Sequence, residues 1–325
     1  MRVRRNVDPV ENDTVAQYSN ILQGKATNSL SKVSKKSMKY DNRINVSSTI
    51  HNEVMIRLEN SEALNLNVQT HKVLDALILK LTSNFSTGNK ATSDRINKYR
   101  IVNLSLDEYM NLCGLKDRKE AKKQLKAAIQ SIYNISMKWS EVSYEGKKKV
   151  ERNWQVRVAD AMGEEWFEEP VKRSGVTFKF AFDIADYLSH AYIMPYPEKL
   201  FQINSRYNPH AYYLGRKLVD HYNQNQGKKN GNRILVSTLL KCLPDLPKYE
   251  DTEHVFQLIM SPFDRDLDAL VDDYGILRFW EYCDKDGVTI SEDQLKNVDY
   301  STWVNFFVLF EPLHFPKKRI SSIQE

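Results

Sequence analysis

The chain has 325 residues, 41% of them hydrophobic and 11% aromatic, which is enough apolar material for two domains and more than one ordinary domain needs. A formal charge of +5 suits a nucleic-acid partner but decides nothing until its distribution is known. Cys113, Cys242 and Cys283 are too few and too scattered for a disulfide framework or a structural zinc site, and no apolar run makes a signal peptide after Arg2, Arg4 and Arg5 or spans a membrane, so a cytoplasmic location with no membrane partner is expected.

Residues 1–48 are rich in Ser, Asn, Lys and Arg and have no sustained period, which predicts a disordered or loosely attached arm. Lys32, Lys35, Lys36, Lys39 and Arg43 make part of it basic. A short strand fits between Val54 and Leu66. From Thr70 to Thr82, Val73, Leu74, Leu77, Ile78 and Leu81 recur at helical spacing and predict a core helix, with His71 in its first turn as a local hydrogen-bonding residue. A polar loop from Ser83 to Lys98 and a strand from Tyr99 to Leu104 lead to Ser105.

The stretch from Ser105 to Asn134 predicts a short helix, a tight turn and a long basic helix. Ser105 with Glu108 forms a capping box, Gly114 ends the first helix, and Asp117 with Glu120 repeats the capping pattern. At about 100° per residue, Ala121, Leu125, Ala128, Ile129 and Ile132 make one apolar stripe. Lys119, Lys122, Lys123, Lys126 and Gln130 fall opposite. An ordinary solvated face mixes Glu and Lys at i,i+4 spacing, whereas this face is nearly all positive, as phosphate contact requires.

Ile135, Met137 and Trp139 alternate with polar residues, as do Trp154, Val156 and Val158, which predicts a strand hairpin with its turn at Glu145 to Lys149. An acidic loop with Glu164, Glu165, Glu168 and Glu169 leads to a third strand through Val176, Phe178, Phe180 and Phe182. Helix, strand, two helices and a hairpin is the order of a winged helix, and the wing tip carries Lys147, Lys148, Lys149 and Arg152.

Two prolines in Ile193-Met-Pro-Tyr-Pro197 cannot continue a helix or a central strand and mark a domain boundary. Beyond it come a helix from Tyr207 to Gln224, a strand from Ile234 to Val236 and a short helix capped by Ser237. A long helical region from Thr252 to Asp272 follows, broken at Ser261-Pro262, and then the strands Ile276 to Tyr282 and Trp303 to Phe310. The order of the first half returns, and Arg100-Ile-Val-Asn-Leu-Ser105 and Arg233-Ile-Leu-Val-Ser237 open the two units alike. The polar face of the second long helix carries Gln257, Ser261, Asp264, Arg265 and Asp268, which disfavours phosphate. Cations in this half collect at Arg206, Arg216, Lys217, Lys228, Lys229 and Arg233.

No H-x-H pair holds a metal beside a tyrosine, so Asn208-Pro-His-Ala-Tyr-Tyr213 reads as packing, and no G-x-x-x-x-G-K-[ST] loop predicts an ATPase. Neither a catalytic residue, a metal ligand nor a cofactor is expected.

The segments LSLDEYMNLCGLKDRKEAKKQLKAAIQSIYNIS, YIMPYPEKLFQINSRYNPHAYYLGRKL and SPFDRDLDAL with GILRFWEY resemble bacterial plasmid replication initiators of the Rep type, above all theta-type initiators of Gram-positive mobile elements. The resemblance implies an α+β protein of two tandem winged-helix domains, over residues 49–192 and 193–316, after the arm of 1–48 and before a basic tail of 317–325. It also implies recognition helices at Arg118 to Tyr133 and within Thr252 to Val271. It implies binding to double-stranded origin DNA in repeats, recruitment of host replication proteins such as a helicase or initiator, and a homodimer as a further assembly, with a winged-helix transcription regulator or a tyrosine-dependent origin-nicking enzyme as alternatives. DNA contact is expected from Arg118, Lys119, Lys122, Lys123, Lys126, Gln130, the wing-tip cations and the six cations of the second half.

Overall fold

The computed structural model describes residues 18–23, 43–47, 53–58, 66–85, 93–145, 148–166, 174–244 and 246–316. The chain begins within these with β1 (Tyr18–Gln23), β2 (Arg43–Ser47) and β3 (Glu53–Leu58). Helix α1 (Val68–Phe85) follows, three residues longer at its C-terminal end than its apolar repeat predicts, with Asn67 Oδ1 accepting from Thr70 N at 3.0 Å at its start. Val73, Leu74, Leu77, Ile78 and Leu81 are all buried, as their spacing requires.

The predicted polar loop contains a short helix, α2 (Ser93–Tyr99), before β4 (Ile101–Ser105). Helix α3 (Leu106–Cys113) carries the full capping box: Ser105 Oγ accepts from Glu108 N at 3.1 Å and Glu108 Oε2 accepts from Ser105 N at 3.0 Å. Gly114 closes it at φ 64°, a left-handed conformation that suits a residue without Cβ. Helix α4 (Arg118–Tyr133) is capped by Asp117, whose Oδ1 accepts from Lys119 N and Glu120 N. Its second half departs from the expected box, because the Glu120 side chain accepts from Gln124 instead. Ala121, Leu125, Ala128, Ile129 and Ile132 are buried, and burying each of the three larger ones contributes about 1.5–3 kcal/mol.

Four strands follow: β5 (Ile135–Glu145), β6 (Lys148–Arg157), β7 (Ala159–Glu165) and β8 (Gly175–Phe180). They divide between two sheets. One has the order β4-β8-β7, and the other β2-β3-β5-β6. Since β8 takes the hydrogen bonds of β4, the wing of the first winged helix is the β7–β8 hairpin. The expected wing, β5–β6, is an inserted hairpin that pairs with β3. The stretch read as an acidic loop is therefore partly strand, and Phe182 starts helix α5 (Phe182–Ser189) instead of ending a strand.

The proline-bearing segment forms β9 (Tyr192–Pro197), which pairs antiparallel with β1 over all six residues in a sheet of two. Such a strand has no central position for proline to disrupt. It also corrects the reading of 1–48 as a loose arm at Tyr18–Gln23, where Ile21 is 0% exposed. Lys32, Lys35, Lys36, Lys39 and the tail of 317–325 lie outside the described residues.

The second unit runs through α6 (Lys199–Gln202), α7 (Ala211–Asn225), β10 (Arg233–Leu235), α8 (Val236–Leu240), a π-helical turn at Phe256–Met260, α9 (Ser261–Asp272), β11 (Leu277–Cys283), α10 (Glu292–Lys296), α11 (Tyr300–Trp303) and β12 (Phe307–Pro312). Its sheet order, β10-β12-β11, repeats β4-β8-β7: the strand before the two helices pairs with the last strand, which lies in the centre. That shared order, with a helix-turn-helix in each half, makes the fold two tandem winged helices. Ser237 makes no cap, since α8 starts one residue earlier, and Ser261 continues out of the π turn without a capping bond.

Candidate nucleic-acid interface

The outer face of α4 carries Lys119 and Lys123 exposed, with Lys122, Lys126 and Gln130 half-buried. The helix is held by its apolar stripe against α1 and α3, so this face is fixed in orientation. Its charges are partly answered from within the protein. The Arg118 guanidinium pairs with Asp107 at the start of α3. Lys126 Nζ lies 3.1 Å from Glu164 Oε2, and the Lys122 and Lys126 ammonium groups lie 5.1 and 5.3 Å from the centroid of the Trp166 ring. Gln130 accepts from Asn134 at its backbone carbonyl only, from both the backbone and the side chain of Asn134. Glu164 and Trp166 were not anticipated as part of this face. Their signal in the sequence is weak, because β7 has few apolar residues and is an edge strand with a register shift between Ala159 and Ala161.

The remaining expected contacts lie on other elements. Lys147 lies outside the described residues. Lys148 is exposed, and Lys149 and Arg152 follow on β6 in register with Tyr144 and Glu141, so this basic group decorates the inserted hairpin and not the wing. Arg206 is exposed in the loop between α6 and α7, Lys217 lies 3.6 Å from Asp220, and Lys228 and Lys229 are exposed after α7. Arg233 donates to Lys285 O at 3.2 Å and lies against Gly287, whose missing Cβ would sit 2.6 Å from Nη1.

Arg216 is corrected. It is 7% exposed, and its guanidinium is spent on Asp75 of α1, so it is no surface cation. The reason is that α7 is packed on several sides, by α6, β9, α9 and β12, and Arg216 faces the first unit. Tyr212 and Tyr196 donate to the same Asp75 Oδ2 at 2.6 and 2.9 Å. Burial and the adjacent Asp75 charge push both phenols well above their ordinary pKa. Tyr213 meets His71 Nδ1 at 2.9 Å, so the His71 ring bonds across 142 positions, while its backbone N–H bonds locally to Asn67 O at 3.1 Å. The His-Ala-Tyr-Tyr segment is thus mortar between the two units.

The helix expected to be the second recognition helix differs from its expected character. Asp264 accepts from Tyr282 Oη, Asp268 accepts from Trp280 Nε1 at 3.1 Å, and Asp266 is 0% exposed and accepts from His210 N at 2.7 Å. These carboxylates are turned into the fold. Gln257, Ser261 and Arg265, at i, i+4 and i+8, are exposed. Among the described residues no helix is long and apolar enough to cross a membrane.

Residues 51–207 match the family described as Initiator Replication protein, WH1. Curated proteins provide no sequence match. Among solved structures, the crystal structure of SeMet derivatives of domains 2 and 3 of RctB superposes with a TM-score of 0.50 at 12% identity, covering 88% of this chain and 98% of that one. A second structure of RctB domains 2–3 gives 0.47 at 11% identity, over 86% and 94%. The first of these agrees with the tandem arrangement seen in the sheet orders. Residues 51–207, just under half of the chain, are thus similar to the first winged helix of the initiator replication proteins, and the sheet orders make the whole a tandem winged-helix fold.

Proposed function

We propose that the chain starts replication of a plasmid or mobile element by binding duplex DNA at the origin and recruiting host replication proteins such as a helicase or initiator. The exposed cations of α4, on a segment that matches the initiator family, carry this reading. Lys119 and Lys123 neutralise phosphates and release counterions, so affinity falls with salt at a log-log slope of about −0.9 per contact. Arg118, Lys119 and Lys122 lie at the amino-terminal part of α4, the part of a recognition helix that meets base edges. Across the π turn and α9, the outward set Gln257, Ser261 and Arg265 offers an amide, a hydroxyl and a guanidinium, and the inward turn of the aspartates removes the objection to a second reading helix. Lys148 and Arg206 add phosphate contacts from the inserted hairpin and the linking loop.

The test is Lys119→Glu with Lys123→Glu in the full chain, measured against a duplex recovered from a random pool by the wild-type protein. Both residues are exposed, so the fold should survive by circular dichroism while binding is lost. Tight binding by the folded double variant overturns the assignment of α4.

A further inference from the structure

The turn end of β7, where Glu165 pairs with Gly175, reaches across to the cationic side of α4. Trp166, just after β7, donates its indole Nε1 proton to Glu164 Oε2 at 2.7 Å. The Lys126 ammonium lies 3.1 Å from the same oxygen as an ion pair, while the indole ring lies under both Lys122 and Lys126. Two of the helix's cations are therefore gathered on one ring and one carboxylate. Both of these bonds use Oε2, so neither engages Glu164 Oε1.

We infer that Glu164 is a specificity-determining residue of the first recognition helix, with Trp166 as the positioning residue that holds it. This rests on the reading that α4 meets DNA. On an unrelated duplex the only attraction is phosphate to cation. There Glu164 acts twice: it keeps Lys126 from swinging out to a phosphate, and it sets a negative charge where the helix would settle across the backbone. Like charges brought together suppress the wrong partner more than they weaken the right one. At a matching site the helix sits in the major groove, where the edges of cytosine and adenine present amine donors that a carboxylate accepts from. The ligand class follows: duplex DNA with such an amine opposite the middle of α4.

The experiment uses the full chain with Glu164→Gln and Trp166→Phe, beside the Lys119→Glu, Lys123→Glu control. Each is titrated over about 50–200 mM salt against two duplexes of equal length, one selected from a random pool by the wild-type protein and one unrelated. Glu164→Gln is expected to bind the unrelated duplex about fivefold tighter, the scale of one freed surface pair, with its salt slope steeper by about 0.9. Binding to the selected duplex should change less, so the ratio of the two affinities falls. Trp166→Phe, which keeps a ring but loses the donor to Glu164, should move the ratio the same way by a smaller factor. Equal shifts on both duplexes, or none, with binding abolished in the lysine control, overturn the role of Glu164 and leave α4 as the DNA contact. Unchanged binding in the lysine control overturns both.

Discussion

Asp75 and Arg216 stand 141 positions apart and meet in the core: Arg216 Nε donates to Asp75 Oδ2 at 2.9 Å and Nη2 donates to Oδ1 at 3.2 Å. Asp75 belongs to α1 of the first unit and Arg216 to α7 of the second, so the pair ties the two winged helices together. Tyr196 and Tyr212 complete the acceptor side. Arg216→Ala leaves a buried carboxylate without its cation, which costs about 3–5 kcal/mol. A lower denaturation midpoint by urea titration is expected, with any loss of DNA binding tracking loss of fold. A folded Arg216→Ala protein of wild-type stability that fails to bind DNA would restore Arg216 as a surface contact.

Asp264 gives stability a pH dependence. Burial pushes its carboxyl up to about 7, partly offset by the hydrogen bond from Tyr282. Between about pH 4 and 7 the folded chain then keeps a proton that the unfolded chain has released. The folded state binds more protons in that window, so this contribution is present at low pH and is lost as pH rises through 7, on the order of 2–4 kcal/mol. Asp264→Asn should flatten that part of the stability profile. Parallel profiles for the variant and wild type, from urea midpoints at several pH values, would exclude this source.

Gly175 pairs with Ser105 where the wing sheet meets the capping box of α3. A Cβ there would lie 2.7 Å from Leu104 O and 2.8 Å from Ser105 Cα, both backbone. Gly175→Ala should cost about 1–3 kcal/mol through forced backbone shifts. Gly163→Ala on the neighbouring strand meets nothing closer than Thr177 Cβ at 3.8 Å and should be nearly neutral. Thermal melts of the two variants side by side check this, and equal melting temperatures would contradict the close approach.

Ile21 distinguishes a packed strand from a tail. It is 0% exposed, and the Leu22 N–H beside it donates to Thr82 Oγ1 at 2.9 Å. Ile21→Ala should destabilise the protein by about 2–5 kcal/mol, whereas in a solvated arm the change would stay within about 0.5 kcal/mol.

What the sequence revealed was the local physics. The α4 stripe, the Ser105 box and the Gly114 stop follow from spacing and capping chemistry within a few residues, and each is found in place. Strand partnership is different. Nothing local in β5 or β7 says which hairpin will close on β4, because that choice is made by β8, some 70 residues downstream of β4. The wing cations were therefore assigned to the inserted hairpin, and Glu164 with Trp166 passed as loop. Arg216 was misread for a related reason. Its helix shows one obvious apolar stripe, but burial of Tyr212, Tyr213 and Arg216 depends on surfaces supplied by the other unit.

The seam between β1 and β9 has a consequence for synthesis. Tyr18 donates its hydroxyl proton to Leu313 O at 2.7 Å, 295 positions later, and its ring meets Phe315 edge-on. At about 5–20 residues per second of translation, that contact waits roughly 15–60 s. Ile21 and Leu22 wait less long, because Met194 and Ile193 of β9 face them, so the strand pairs before the Tyr18 hydroxyl can find Leu313.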